Sequence, residues 1–384
     1  MRSGPGLAPR PRAVDWTILA ALTLALATGL LSLTAGSAGD AWLVVLHGIG
    51  GLALVVLVYW KLRRVWPRLA AAASDRTVAL SALLAAMTLA VLATGVAWAL
   101  GATPDLWGWT LLTLHAVLGV LIVPLALYHL LRRARPPTRA DWEGRRTALQ
   151  YAGLAAVGAL AYRGQKALTA ALGTTGADRR FTGSNPEGGT GNRFPVTNWM
   201  LDDPDPIDAG EWRLRVVGRV ERPLALGYGD LPTVSGESGA SASDGIEAGA
   251  GAGNAAGAVV SAPAAVERAT LDCTSGWYVE RDWQGVRVGA LLDAAGPAGD
   301  GRFVTFRSVT GYRFGVPLSE ARDVVLATHV DGERLTHGHG FPLRVVAPER
   351  RGFQWVKWVV AVEVRERPDP GQWLAIFLSG VDAE

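Results

Sequence analysis

The chain has 384 residues, more than one ordinary domain needs, and 49% of them are hydrophobic. Its formal net charge is only +3, with the basic residues in short clusters beside apolar runs, a pattern that gives nucleic-acid binding no footing. A single cysteine, Cys273, excludes an intramolecular disulfide. Composition then splits the chain: Ala, Leu, Val and Trp dominate up to about Leu172, and beyond it polar, Gly and Pro residues mix as in a water-exposed domain.

Four apolar runs, approximately Trp16 to Leu33, Ala41 to Trp60, Val78 to Leu100 and Trp109 to Leu131, match the roughly 20 helical residues that cross a bilayer. Trp16, Trp42, Trp60, Trp98, Trp107 and Trp109 fall near their ends, where indoles favour the interface. Arg2, Arg10 and Arg12 precede the first run; Lys61, Arg63, Arg64 and Arg68 follow the second; Arg132, Arg133, Arg135, Arg139, Arg145 and Arg146 follow the fourth. The loops around Ser37 to Asp40 and Thr103 to Asp105 hold no Lys or Arg, so the amino terminus is expected in the cytoplasm of a multi-pass protein of the cell membrane, embedded in lipid.

The membrane part, 1–136, is internally duplicated: Leu26-Ala27-Thr28-Gly29 recurs as Leu92-Ala93-Thr94-Gly95, and Leu46-His47-Gly48 matches Leu114-His115-Ala116. Each copy sets one histidine about six residues, roughly 9 Å, into its second helix, so His47 and His115 lie at matching depth. Two imidazoles so placed suit the two axial positions of a b-type haem, the alternative being a hydrogen bond from each to a neighbouring helix. Gly48, Gly50, Gly51 and Gly119 would make room for a flat macrocycle or serve helix packing. This half resembles the four-helix membrane cytochromes b. His129, about 21 Å deeper on the same face, has Lys61 as its repeat partner, so one haem near the outer face is expected and His129 takes an interfacial role.

A fifth, shorter apolar run, Thr147 to Tyr162, ends at Arg163 and Lys166 and reads either as an interfacial helix or as a further crossing. GRRTALQYAGLAAVGALA, with Arg145 and Arg146 paired, resembles an internal twin-arginine export signal, although positive charge beside a membrane segment gives the same pair. Region 137–172 is assigned to this basic loop and segment, and 173–210 to a tether, Gly-rich from Tyr162 onward, that leads to an exported domain over 211–384. There, Trp212 to Val217, Ala269 to Cys273, Arg302 to Phe306, Val324 to Ala327, Leu343 to Ala347 and Val356 to Val364 read as strands, with a short helix over Val288 to Ala295. A Gly, Ala and Ser run over 235–265 reads as a disordered insertion. The fold class is therefore a membrane all-α bundle followed by an α+β, strand-rich domain.

Cys273 closes an apolar run and is followed by Thr274, Ser275 and Gly276, which turn the chain. It is either a small buried hydrophobe or a thiolate for a soft metal. LDCTSGWY followed by DWQGVRVGALLDAAG resembles the molybdenum-binding core of the sulfite-oxidase-type molybdopterin oxidoreductases, which include periplasmic methionine sulfoxide reductases. The resemblance runs from about Asn192 to Val364. It implies a molybdenum-molybdopterin cofactor with Cys273 as a metal ligand and further contacts at Asn192 and Phe194 in GNRFPVTNW, Ser308 in FRSVTGYRFGVPLSEA, His339 and Arg344 in LTHGHGFPLRVVAP, and Lys357 in RRGFQWVKWV. Arg and Lys are also the donors that a phosphate asks for, although either can be an ordinary strand-face charge and the histidines a solvated turn. Trp277, Tyr278 and Arg281 line the substrate pocket or belong to the core; the arginine and tyrosine set of sulfite oxidases cannot be placed. A zinc site at His329, His337 and His339 fits known spacings poorly. The sequence thus predicts an extracytoplasmic oxygen-atom-transfer enzyme acting on a small molecule and exchanging electrons through haem b with a membrane quinone. Its rival is an anchored binding module that has lost its cofactor.

Overall fold

The structure is a computed structural model that describes residues 9–71, 76–104, 109–199, 202–232 and 263–380. Arg2, Asp105, Trp107 and the predicted insertion up to residue 262 lie outside the described residues, while Ala265 already opens a strand. The chain divides into two units, Met1–Pro186 with Ser275–Trp277, and Glu187–Thr274 with Tyr278–Glu384.

In the first unit, helices α1 (Pro11–Ser32), α2 (Ala41–Ala71), α3 (Arg76–Ala99) and α4 (Leu111–Arg133) form where the four apolar runs predict them. All are long and apolar enough to cross a membrane. Proline at the first turn starts α1, and Thr110 caps α4 by accepting a bond from the Thr113 amide at 3.1 Å. The duplication is visible as two helical hairpins, α1 on α2 and α3 on α4. Equivalent positions even carry equivalent bonds: Lys61 pairs with Asp15 at 2.8 Å in the first hairpin, and His129 meets the Ser81 hydroxyl at 3.3 Å in the second.

The fifth segment is longer than its apolar run. Helix α5 spans Arg145–Leu172, so the tether expected from Tyr162 begins only after Gly173, a left-handed cap with φ of 60°. Arg163 and Lys166 end the hydrophobicity but are good helix formers, which is why the helix runs on. Gly158 allows α5 to press on α2, since a Cβ there would lie 2.9 Å from the Ile49 carbonyl, and Tyr162 fills the space over Gly48. Tyr151 bonds Thr17 near the start of α1 at 2.8 Å, whereas Gln165 donates to the Ala99 carbonyl at the end of α3 at 2.5 Å. The helix therefore traverses the length of the bundle.

The second unit carries β1 (Arg213–Gly218), β2 (Leu224–Gly227), β3 (Ala265–Asp272), β4 (Trp277–Arg287), α6 (Val288–Ala295), β5 (Phe303–Ser308), β6 (Arg313–Pro317), β7 (Val325–Val330), β8 (Glu333–Arg334), β9 (Arg344–Val346), β10 (Val359–Arg365) and α7 (Gln372–Leu378). One sheet runs β2-β1-β10-β5-β6, antiparallel except where β10 lies parallel to β1. In the other, β3, β4, β7 and β9 pair in that order, all antiparallel, with β8 folded back on β7. Strand β4, which the sequence reading left as a possible pocket lining, is the longest: Trp277, Val279, Arg281 and Trp283 alternate inward and are buried.

The β4–β7 register shifts between Gln284 and Gly285, and a Cβ on Gly285 would lie 2.0 Å from the Leu326 carbonyl. Gly285→Ala is expected to destabilise the chain by about 1–3 kcal/mol, read as a lower midpoint in denaturant unfolding of the strand-rich unit.

Candidate functional site

Cys273 is the first residue of the loop that joins β3 to β4, and it is buried. Two neighbours from far along the chain fix it. Arg351 bonds Asp272 Oδ1 at 2.7 Å and donates to the Cys273 carbonyl at 3.1 Å, both side chains of the ion pair being almost wholly buried. Gly352 supplies the space, because a Cβ there would come within 3.1 Å of the Cys273 Cα. Neither residue was singled out in the sequence, where the doubled arginine before a glycine is the only signal.

Two cations, Arg344 and Lys357, are ones whose protonated form a Cys273 thiolate would favour. Arg344, at the start of β9, lies buried beside the edge-to-face pair Trp283 and Trp355, 5.5 and 5.9 Å from their centroids. It donates to the His339 carbonyl at 3.0 Å, but its Nε has no partner among the described residues. Burial pushes it down to about 10. Lys357 spends its ammonium on three neutral acceptors, the Gly338 carbonyl and Asn198 Oδ1, both at 2.6 Å, and the Thr197 carbonyl at 3.1 Å. Burial, then repulsion from Arg344, pushes it down to about 7. Among the described residues neither cation has a carboxylate within ion-pair distance. Next to Lys357, the fully buried Trp358 holds a φ of 51°, a strained conformation for a bulky residue.

The other implied contacts build the wall around these groups. His339 is buried against Phe194, ring centroids 4.1 Å apart. Burial first, helped by Arg344 and Lys357, pushes it down to about 4, so the ring is neutral, and Nε2–H donates to the Phe194 carbonyl at 3.0 Å while Nδ1 accepts from the Thr336 hydroxyl at 2.6 Å. Both nitrogens are thus used inside the protein, and His339 acts as a clip between two loops. Asn192 is a second clip, donating to the Arg334 carbonyl and accepting from the Thr336 amide. Ser308, at the end of β5, is buried and accepts at Oγ from the Thr310 hydroxyl at 3.0 Å. Asp202, missed in the sequence, is buried with its carboxyl raised by desolvation and opposed by Lys357.

On β4, Trp277 is buried and Tyr278 half-buried. Arg281 is committed elsewhere: it pairs with Asp331 at 3.4 Å and donates to the Gly188 carbonyl at 3.1 Å, pinning the 188–191 loop instead of presenting an open guanidinium. The three histidines weighed for zinc do not gather: His329 meets Thr328, His337 donates to the Pro204 carbonyl and His339 makes its clip. Among the described residues no group of three or more His, Cys, Asp or Glu forms a metal site.

In the helical unit, His47 and His115 are neighbours, with ring centroids 5.9 Å apart and ring planes at 83° to one another. Two metal–imidazole bonds of about 2 Å each, plus the ring half-widths, come to about 6 Å, so the pair fits a shared iron. Each Nδ1 is 2.9 Å from a backbone carbonyl, that of Ala25 or Val91, which fixes the proton there and leaves Nε2 as a bare donor. The repeat motif explains itself here. A Cβ at Gly29 would lie 3.3 Å from the His47 ring, and one at Gly95 2.9 Å from the His115 ring. Of the glycines noted in the sequence, Gly48 is covered by Tyr162, while Gly50, Gly51 and Gly119 border open space.

Residues 201–373 match the model of a family described as oxidoreductase molybdopterin binding domain. An uncharacterized oxidoreductase, YuiH, of Bacillus subtilis (strain 168) is 27% identical over 47% of this chain and 78% of its own. The protein-methionine-sulfoxide reductase catalytic subunit MsrP of Xanthomonas axonopodis pv. citri is 28% identical over 27% of this chain, an alignment that spans 37% of that subunit. The crystal structure of the sulfane dehydrogenase SoxCD from Paracoccus pantotrophus aligns with a TM-score of 0.34 and 21% identity, over 42% of this chain and 40% of that one.

Two outcomes test the geometry. Arg351→Leu strands a buried Asp272 charge and should cost about 3–5 kcal/mol in unfolding free energy. In protein prepared without cofactor, sulfate, whose charge does not change in this range, should bind more weakly as pH rises through about 7, because Lys357, depressed by burial, sheds its proton there. Calorimetry from about pH 6 to pH 8 should show this slope, with proton uptake on binding, and Lys357→Met should remove it.

Proposed function

We propose that this oxidoreductase, whose residues 201–373 are a molybdopterin-binding domain, is a membrane-anchored enzyme that exchanges an oxygen atom with a small substrate outside the cytoplasm. Electrons pass between that site and a membrane quinone by way of a haem b. The observation that carries the reading is the buried Arg344 with the half-buried Lys357, set with a buried cysteine, neither cation having a carboxylate within ion-pair distance among the described residues and Asp202 and Asp203 acting on Lys357 only from farther off. Such a site asks for an anion of high charge that also accepts a thiolate, which is the chemistry of a phosphorylated dithiolene cofactor and its metal.

When bound, molybdenum supplies two-electron oxygen-atom exchange and haem carries single electrons. The chain supplies placement. Cys273 offers the thiolate, held in line by Arg351 and Gly352. Arg344 and Lys357 hold anionic oxygens, Ser308 offers its hydroxyl, and Asn192, Phe194 and His339 close the wall by joining loops. Trp277 and Tyr278 open β4 directly after the Cys273 loop. His47 and His115 offer Nε2 to iron, with their protons parked on backbone carbonyls.

Topology supports the placement. With the arginine-rich loops in the cytoplasm, α5 makes a fifth crossing and delivers the domain that follows to the outside. The paired Arg145 and Arg146 at its start suit export of a folded, cofactor-loaded domain. Among directions of flow, quinol-driven reduction of an S-oxide or N-oxide agrees best with the family resemblance. The rival, a cofactor-free binding module, leaves the unpaired cations and the matched histidines without purpose.

Elemental analysis of the full-length protein tests the proposal. The native chain should hold about one molybdenum and one iron, Cys273→Ser should lose molybdenum and keep iron, and His115→Ala should do the reverse. Absence of both metals, in protein made by a host that synthesises and exports the cofactor, leaves the binding module as the reading.

A further inference from the structure

The duplication of the helical unit shows what one corner of it lacks. Aligned on Leu26 with Leu92 and on His47 with His115, Asp15 falls on Ser81, Lys61 on His129 and Arg64 on Arg132. In the first hairpin the Asp15 carboxylate closes this corner, taking Lys61 at 2.8 Å and Arg64 at 2.6 Å. In the second hairpin the arginine is kept and the carboxylate is not. Ser81 is small and neutral, its hydroxyl donating to the Thr77 carbonyl at 2.9 Å beside the His129 ring, and Arg133 stands where the first copy has Val65. Both guanidiniums rest on neutral groups: Arg133 Nη2 donates to the Thr77 hydroxyl at 2.9 Å, and Arg132 lies 5.6 Å from the centre of the Tyr128 ring. Among the described residues no carboxylate lies within ion-pair distance of either. A cleft opens here between α3 and α4, lined by Thr77, Ser81, Tyr128, His129, Arg132 and Arg133. Thr77 is in the first turn of α3 and Arg133 is the last residue of α4, so the cleft sits where the apolar spans end.

We propose that this cleft binds the phosphate of an anionic phospholipid, taken from the leaflet on the side of the arginine-rich loops. The inference rests on the membrane-anchored reading above and adds a lipid site to it. Asp15 supplies the negative charge from within the first hairpin; the second takes it from the bilayer. A phosphodiester spreads its charge over two oxygens and so meets two guanidiniums with charge-assisted bonds, which the neutral Ser81 and Thr77 leave available. Leu80 and Leu125 extend the lining towards the apolar spans, where the acyl chains lie. Lipid thereby ties α3 to α4 as Asp15 ties α1 to α2.

Native mass spectrometry of the full-length protein tests this, with release from detergent micelles doped with equal phosphatidylglycerol and phosphatidylcholine of matched acyl chains. The native chain should retain phosphatidylglycerol in preference. Arg132→Gln and Arg133→Gln should each lower that preference about fivefold, the scale of one basic residue at an anionic surface. Ser81→Asp should abolish it by restoring the internal carboxylate, with the unfolding midpoint unchanged or raised, whereas Ser81→Ala should keep it. Arg132 and Arg133 are exposed, so their variants read the site even where Ser81→Asp does not fold. A preference that survives both arginine variants and Ser81→Asp overturns the proposal. Displacement of phosphatidylglycerol by an equal concentration of inorganic phosphate overturns the lipid assignment in favour of a free-anion site. Equal retention of the two lipids by a native chain that stays in the membrane overturns this inference alone. A native chain that alkaline carbonate strips from membranes overturns the membrane reading and this inference together.

Discussion

Burying a charge without a counter-charge costs several kcal/mol, and the strand-rich unit does so at Arg344, with the half-buried Lys357 close enough to repel it. Much of its local architecture follows from keeping Arg344 and Lys357 in place against that cost. Trp283 and Trp355, themselves edge to face, both lie within 6 Å of the guanidinium, and their π systems attract a cation without neutralising it. Backbone carbonyls at Gly338, Thr197 and His339 take the available protons, again without adding negative charge. A carboxylate in any of these places would stabilise the domain alone and weaken its hold on an anion. The strain at Trp358 belongs to the same arrangement, because its indole N–H reaches the His337 carbonyl and thereby anchors the residue after Lys357.

The helical unit meets a related constraint by duplication. An imidazole in an apolar bundle needs its second nitrogen satisfied, and each copy of Leu-Ala-Thr-Gly brings a glycine against the ring while a carbonyl one turn earlier takes the proton. Because the copies are similar, two rings arrive at the same depth and lie beside one another. The pairing is therefore a property of the repeat, with no separate long-range contact needed to align it.

Legibility in the sequence followed the range of the interactions. The four long apolar helices were readable because their apolar runs have the length a bilayer crossing needs, and α6 was readable because Gly296 ends a short apolar helix at a left-handed cap. Strand β4 was missed because its inward face reads Trp, Val, Arg, Trp: the alternation is present, but a buried arginine occupies one apolar slot, and only the Asp331 carboxylate, distant in sequence, makes that tolerable. The end of α5 was missed because charge was taken as the end of the helix. Arg351 and Gly352 were invisible for a different reason: their purpose is to hold a residue 78 positions earlier, and no local pattern records that.

Divergence within the repeat shows where the two halves stopped being equivalent. At the depth of His129 the first hairpin has Lys61 locked to Asp15, with Arg64 on the same carboxylate, whereas the second has a neutral histidine beside a serine. A lysine tied into an ion pair offers iron no lone pair, so the deeper level does not reproduce the arrangement at His47 and His115. The same ion pair ties α1 to α2 at the end of the bundle where the basic residues cluster. The two halves thus match at His47 and His115 and differ at the deeper level, where the first hairpin carries an ion-paired brace and the second a histidine beside a serine.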